Sequence, residues 1–473
     1  MRRELLRIGG ALREGAGVDV ISSPFTGEPV GEVARGAARD MDDAIAAAAA
    51  AFERTRRLPT HRRAAILEGA ARALEARADE LARLMALESG KPITQALAEV
   101  ARAVVTLSLG AQEARRLGGE VLPVDLEPRG EGRLCLTTRV PRGPVAAISP
   151  FNFPLNLVAH KLGPAAAVGA SVVLKPPPQC PLTALALAAL LDEAGLPPGA
   201  LNVVHCAPEV AQRMVEDPRL KVLSFTGSDA VGWRLKSVAG KKQVLLELGG
   251  DAPCVVDQDV DLDRALPAIV AAAWANGGQV CIRIQRLLVH RARWDEVLGR
   301  FVEASRAVPR GDPLDPKTVV GPLIEPRHVE RVLSWVREAV DLGGTLHCGG
   351  EAEGNVVAPT VLTGVPDSAR VRRDEVFGPV TVVEPFDTFE EALARCNATR
   401  FGLQAAVFTR DLGRALQAYR ELDYGGVIVN DAPTFRVDNF PYGGTKDSGF
   451  GREGVRYAME ELTEPRVLVM RGP

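Results

Sequence analysis

The sequence predicts an α/β protein built around a doubly wound parallel sheet, on three observations. Between residues 143 and 248, five short apolar runs are separated by helical stretches. The runs lack the polar alternation of a strand with one wet face, so both faces must be covered. After "ELGGDAP" a second α/β series begins, which sets a boundary near residue 249. At 473 residues the chain is too long for one simple core, so two or three units are expected.

The elements follow in order. Residues 38–120 are rich in Ala, Leu, Glu and Arg, with apolar residues recurring at three and four, and read as helices. "GKP" at 90–92 stops one of them. Residues 122–142 change character: "RLCLTTRVP" alternates as a strand does, beside the charged turn "EPRGEG". Next come the strand "GPVAAIS", the helical "FPLNLVAHKLGPAAAVG", the strand "SVVLKP" and the helix "LTALALAALLDEAG". "LNVVH", "KVLSF" and "KQVLLEL" complete the run of strands, the architecture of a nucleotide-binding domain. The second series holds the helix "DLDRALPAIVAAAWAN", the strand "RLLVH", the helix "VERVLSWVREAVDLGG" and the strands "TVVEPF", "LQAAVF" and "GGVIVN". "TEPRVLVM" is a β-like tail.

Composition narrows the function. The formal net charge is −3, with no basic stripe for nucleic acid and no charged tail. The basic N-terminus "MRRELLRIGGALREG" lacks the apolar core of a signal peptide, and no uninterrupted apolar run suits a membrane. Seven scattered cysteines without a CxxC pair point to free thiols in a reducing cytoplasm. The six histidines show no ligand spacing, so no metal is expected.

Four places could carry chemistry. Cys281 follows Gly277 and Gly278 in "GGQVC", where the backbone can turn tightly. It reads either as a nucleophile or, as most cysteines do, as a small buried hydrophobe. Glu247 ends the apolar run "VLLEL", where burial would make it a general base and solvent would make it an ordinary strand end. Asn152 lies directly after a predicted strand, where ligands of doubly wound sheets bind; its amide suits an oxyanion or a plain turn. In "SFTGSDAVG", Gly227 and Gly232 flank a strand-to-helix turn suited to a phosphate, although the pattern is not GxGxxG.

Together "SPFNFP", "VVLKP", "FTGS", "LELGGDAP", "GGQVC", "DEVFGPV" and "PYGGTKDSGFGREG" resemble the aldehyde dehydrogenase superfamily, in the family's order and over nearly the whole chain. Asn152, Glu247 and Cys281 stand 95 and 34 residues apart, which is family-like. The resemblance implies Cys281 as nucleophile, Asn152 and the Cys281 amide as oxyanion donors, and Glu247 as the base that activates the hydrolytic water. It implies a cofactor site of Ser149, Pro150, Phe151, Lys175, Pro178, Gly227, Ser228 and Leu248. Lys175 would serve the adenosine ribose region, Glu375 the nicotinamide ribose, and Phe377 would pack beside the ring. It implies residues 1–122 and 142–248 as a cofactor-binding domain, 249–458 as a catalytic domain, and 123–141 with 459–473 as an oligomerisation arm. A homodimer or homotetramer is therefore expected.

The nearest branch looks like the one holding non-phosphorylating glyceraldehyde-3-phosphate, lactaldehyde and phosphonoacetaldehyde dehydrogenases. Phosphate-substrate members commonly carry an arginine where Val280 stands, and a hydroxyl or imidazole where Phe153 stands. A further arginine is replaced by Phe435, with Arg436 adjacent. The expected substrate pocket is thus Arg102, Phe153, Val280, Ile282, Phe435 and Arg436, and Arg283 is a further candidate cation for a carboxylate. NAD-preferring relatives commonly place an acid three residues after the lysine of "KP"; here it is Pro178, so NADP is expected to be preferred and NAD accepted. A CoA-acylating enzyme, which typically lacks the base Glu247, and a catalytically silent binding or structural protein are the alternatives.

Overall fold

The computed structural model describes residues 2–471. Its first sheet has eight strands in the order Gly449–Phe450, Gln243–Glu247, Val222–Thr226, Val145–Ile148, Val172–Lys175, Leu201–Val203, Leu6–Ile8 and Ala11–Arg13. The five strands between 145 and 247 are parallel. Three are laid down outward from Val145–Ile148, and the chain then crosses back to place Val222–Thr226 on its other side. This reversal opens a crevice at the carboxyl ends of those two strands.

Strand alternation divides the core in two. Val145 and Ala147 join Val172, Leu174 and Leu245 in a core roofed by the helices Thr60–Ala76, Ile93–Arg116, Asn156–Val168 and Leu182–Glu193. Ala146 and Ile148 join Val173, Leu223 and Leu246 beneath Ala38–Thr55, Pro208–Glu216 and Asp229–Val238. The helix Ile93–Arg116 is long and apolar enough to cross a membrane by composition. Here its Val100, Ala103, Leu107 and Ala111 are core residues.

The second sheet has seven strands in the order Thr345–Cys348, Thr360–Thr363, Val380–Phe386, Arg286–His290, Pro253–Val256, Gln404–Phe408 and Gly426–Val429. All pairings are parallel except at the Thr345–Cys348 edge. Residue 249 falls between the last parallel strand of one sheet and the first of the other. A third sheet pairs Thr463–Arg471 with Arg133–Pro141 over nine residues, and Arg133–Pro141 with Val121–Leu122. Thr463–Arg471 is its edge strand, with Val467, Leu468 and Val469 more than half exposed.

One feature departs from the expectation. The stretch 449–461, of which 449–458 were expected in the second unit and 459–461 in the arm, runs with the first sheet. Gly449–Phe450 pairs antiparallel with Gln243–Glu247, and the helix Val455–Glu461 packs on Asn156–Val168 and Ile93–Arg116. At the basic N-terminus, Leu6–Ile8 and Ala11–Arg13 form a hairpin that extends the first sheet. Its turn is Gly9-Gly10, both with positive φ, a hairpin signal that was present in the sequence.

Candidate active site

The crevice of the first sheet continues into a cavity of about 760 Å³ that reaches the second sheet. Ser149, Pro150, Phe151 and Asn152 enter it because they follow the strand Val145–Ile148. Gly227 and Ser228 enter it after Val222–Thr226, and Glu247 and Leu248 end Gln243–Glu247. The second sheet's unit supplies Val280, Cys281 and Ile282 from one loop and Glu375 and Phe377 from another. Pro178, Arg102, Phe153 and Arg436 complete the residues singled out from the sequence that line this wall.

Cys281 is placed by an unusual backbone. The helix Leu262–Trp274 ends in a tight turn where Asn276, Gly277 and Gly278 have φ of 50°, 62° and 75°. That turn is tied down by side chains. Gln95 accepts from the Asn276 N–H at 2.9 Å, and the Gln279 carboxamide accepts from the Ile324 N–H at 3.0 Å. Asn152 donates its amide to the Gln279 carbonyl at 3.0 Å, which fixes the two loops against each other. An amide has two N–H donors, so one remains for a ligand.

The electrostatics at the three residues differ. Burial pushes the Cys281 thiol up to about 11, against the pull of a hydrogen bond with the Tyr442 hydroxyl at 3.3 Å. A thiol in that state is a poor nucleophile until something stabilises its anion. Glu247 is buried, and its Oε2 has no protein hydrogen-bond partner. Burial first, and then the like charge of Glu453, hold its carboxyl well above the ordinary range, which suits a general base. Glu375 is pushed up to about 7 by burial, and its Oε1 accepts from the Gly250 N–H at 3.1 Å.

The half of the cavity facing the first sheet fits a dinucleotide. Ser228 holds the N-cap position of the helix Asp229–Val238 without a side-chain capping bond, and that N-terminus opens at the cavity and favours an anion. Gly227 is bare because a Cβ there would meet the Phe225 ring at 2.6 Å. Phe151 and Phe377 meet edge to face at 5.8 Å, and Phe377 adopts φ 45° to do so. Among the described residues no cluster of three His, Cys, Asp or Glu side chains could hold a metal ion.

The other half is apolar with charged ends. Phe153, Val280, Ile282 and Tyr442 form one cluster, and the Lys91 ammonium sits 3.6 Å over the Phe153 ring. Arg102 donates to Asp438 at 2.6 Å, and Asp438 also bonds His160 at 2.9 Å. Arg436 donates to Glu453 at 3.3 Å, while its buried Nε has no partner.

Three residues lie elsewhere than expected. Lys175 shares a strand face with Val173, is buried, donates to the Pro176 carbonyl at 3.1 Å and does not line the cavity. Phe435 is 46% exposed and off the wall. A turn closed by the Phe435 N–H on the Ala432 carbonyl at 3.0 Å precedes it, and Thr434 and Arg436 line the cavity while Phe435 does not. Arg283 is buried away from the cavity, donating to the carbonyls of Val380 at 2.6 Å and Ile284 at 3.1 Å. Tyr442, Gln279 and Gln95 were not singled out from the sequence. "PYGG" carried the one available hint of Tyr442, while Gln95 is joined to the site only by the fold.

A model of the aldehyde dehydrogenase family matches residues 13–468. The 3-sulfolactaldehyde dehydrogenase of Priestia aryabhattai is 42% identical over 451 residues, 95% of this chain and 94% of that protein. The crystal structure of aldehyde dehydrogenase 21 from Physcomitrella patens, in complex with the reaction product succinate, superposes with a TM-score of 0.98 at 42% identity, covering 99% of this chain and 98% of that one. The glyceraldehyde-3-phosphate dehydrogenase GapN from Methanocaldococcus jannaschii, complexed with NADP, superposes with a TM-score of 0.93 at 37% identity, covering 97% and 99%.

Proposed function

This chain belongs to the aldehyde dehydrogenase family, and on that footing we propose that it oxidises a small or medium aldehyde, neutral or carrying one negative charge, with NADP preferred and NAD accepted. The observation that carries this reading is that Cys281, Glu247 and Asn152 line one cavity with an open helix N-terminus on one side and an apolar pocket on the other.

Cys281 acts as thiolate and adds to the aldehyde carbon, and the free N–H of Asn152 with the Cys281 amide stabilises the oxyanion. The bound nicotinamide cofactor supplies the hydride acceptor. The thioester left on Cys281 is hydrolysed by water whose proton Glu247 takes, since Glu247 lines the cavity and its Oε2 is unpaired. Ser228 and Gly227 hold the pyrophosphate, and Glu375 has acceptor capacity left for a ribose hydroxyl. The eight-stranded sheet serves as the cofactor-binding domain, and the seven-stranded sheet carries the nucleophile.

Substrate size and charge follow from the walls. Phe153, Val280, Ile282 and Tyr442 offer no donors for a phosphate other than the Tyr442 hydroxyl, and burying such a dianion unpaired costs several kcal/mol or more. Arg102 and Arg436 are already paired with carboxylates, but the unpartnered Nε of Arg436 leaves room for one carboxylate or sulfonate. The succinate bound to the Physcomitrella enzyme and the sulfolactaldehyde of the Priestia enzyme's name are singly charged at the far end, which supports this choice. The NADP preference is supported by the absence of an acid at Pro178, on the cavity mouth, and by the NADP bound to the Methanocaldococcus enzyme. The free cysteines accord with a cytoplasmic setting. The exposed apolar edge strand Thr463–Arg471 supports a homodimer, or a tetramer of dimers, that covers it.

The test is kcat/KM with NADP and with NAD for lactaldehyde, propanal, benzaldehyde, succinate semialdehyde and glyceraldehyde 3-phosphate, with and without CoA. A strong preference for the phosphorylated aldehyde, or a need for CoA, would overturn it.

A further inference from the structure

Among the described residues, the one side-chain hydrogen-bond partner of the Cys281 sulfur is the Tyr442 hydroxyl at 3.3 Å. Asn152, which lines the same cavity, has turned an N–H to the Gln279 carbonyl. The Tyr442 ring is 3% exposed, wedged among Val280, Ile282 and Leu403, so its hydroxyl has little freedom to move. The Arg436 guanidinium lies 3.6 Å over the centre of that ring, and Glu453 holds it there at 3.3 Å.

We propose that Tyr442 is a further catalytic residue, its hydroxyl holding the Cys281 sulfur and donating to it once the sulfur is charged, and that Arg436 is a positioning residue that polarises that hydroxyl through the ring face. This rests on Cys281 being the nucleophile in the reading above. A thiolate buried among apolar groups needs a donor, and a hydrogen bond to a charged acceptor is stronger than one to a neutral acceptor. A cation over an aromatic face draws electron density from it, which makes the phenol a better donor. Burial keeps the Tyr442 phenol protonated far above neutrality, so the donor is never lost at working pH. A phenylalanine would fill the same space among Val280, Ile282 and Leu403 and could not do this.

The test is the rate of Cys281 alkylation by iodoacetamide against pH, read by mass spectrometry of the Cys281 peptide, in the full-length enzyme with NADP bound. The reagent is neutral, so loss of a charged-substrate contact does not enter. Tyr442→Phe is expected to move the profile to higher pH and slow alkylation about tenfold at pH 7, with kcat lowered and the KM for NADP unchanged. Arg436→Gln should move it the same way by about threefold, and Arg436→Lys should restore part of the shift. Cys281 reacting in Tyr442→Phe with the wild-type rate and pH midpoint would overturn the proposal. Because no aldehyde is turned over, a Cys281 inert in the wild type would instead refute its role as nucleophile. Should Arg436→Gln fail to fold, Tyr442→Phe still decides.

Discussion

Gly278 packs its Cα against the peptide of Gly378: a side chain on Gly278 would run into the Gly378 carbonyl and come within 2.6 Å of the Pro379 nitrogen. The two loops that meet there carry Cys281 and Glu375. Gly278→Ala must therefore separate them, and it also forces a left-handed conformation on alanine at φ 75°. The conformation alone costs roughly 1–2 kcal/mol, and the clash adds to it. A lowered Tm and a kcat reduced at least tenfold are expected. Gly277→Ala, whose nearest neighbour would be the Gly321 carbonyl oxygen at 3.2 Å, should be milder in both.

Cys281→Ala should abolish dehydrogenase activity while cofactor binding, followed by fluorescence, persists. Cys254 is the control. It is fully buried on the central strand Pro253–Val256 of the second sheet, where burial holds its thiol protonated. Cys254→Ala should cost about 1 kcal/mol of stability through the small void it leaves and leave kcat at the wild-type level. Wild-type turnover by Cys281→Ala would sink the mechanism.

Glu247 serves as a base only when ionised, and its pKa is raised by burial and by Glu453. The rate of thioester hydrolysis should therefore rise with pH through the Glu247 pKa. Glu453→Gln removes the like charge, lowers that pKa and shifts the rising limb to lower pH. Glu247→Gln should abolish the limb, slow hydrolysis by 10²-fold or more, and let a thioacyl enzyme accumulate after a burst of reduced cofactor. Intact-mass spectrometry of the quenched enzyme reads that adduct directly.

Glu375 titrates near 7 because burial opposes its charge. In the role proposed for Glu375 a ribose hydroxyl would donate to the ionised carboxylate, so cofactor binding would favour the deprotonated form. The Kd for NADP should then weaken as pH falls below about 7, and Glu375→Gln should bind weakly with no such dependence. Calorimetric titration between pH 5.5 and 8.5 would show it; a pH-independent wild-type Kd contradicts this role for Glu375.

Pro178 is exposed at the mouth of the cavity. A carboxylate placed there would repel a 2′-phosphate a few ångströms away by roughly 1–4 kcal/mol at effective dielectrics of 80 to 20. Pro178→Glu should raise the KM for NADP by about five- to several-hundredfold and leave that for NAD little changed. An enzyme that reduces NAD efficiently and ignores millimolar NADP before any mutation would show that the loop has been misread.

Strand alternation and helical periodicity are local properties, so the sequence alone showed the alternating strands and helices between 143 and 248 and a second α/β series after 249, but not the short strands Leu6–Ile8 and Ala11–Arg13 or the return of Gly449–Phe450 to the first sheet. The ordered motifs carried Asn152, Glu247 and Cys281, because each follows a strand or a turn whose residues also set its place in the fold. What only the tertiary structure decided are contacts between segments with no shared period. Tyr442 meets Cys281 across 161 residues of chain, and the meeting depends on how two loops pack. Phe435 and Arg436 were both expected in the pocket, yet only Arg436 lines the cavity while Phe435 is 46% exposed, because the turn closed by the Phe435 N–H on the Ala432 carbonyl sets which side chain faces in. Lys175 has the right motif and strand, yet its ammonium donates to the Pro176 carbonyl and does not line the cavity. A side chain's partner is chosen by what the rest of the fold brings within a few ångströms, and no spacing along the chain records that.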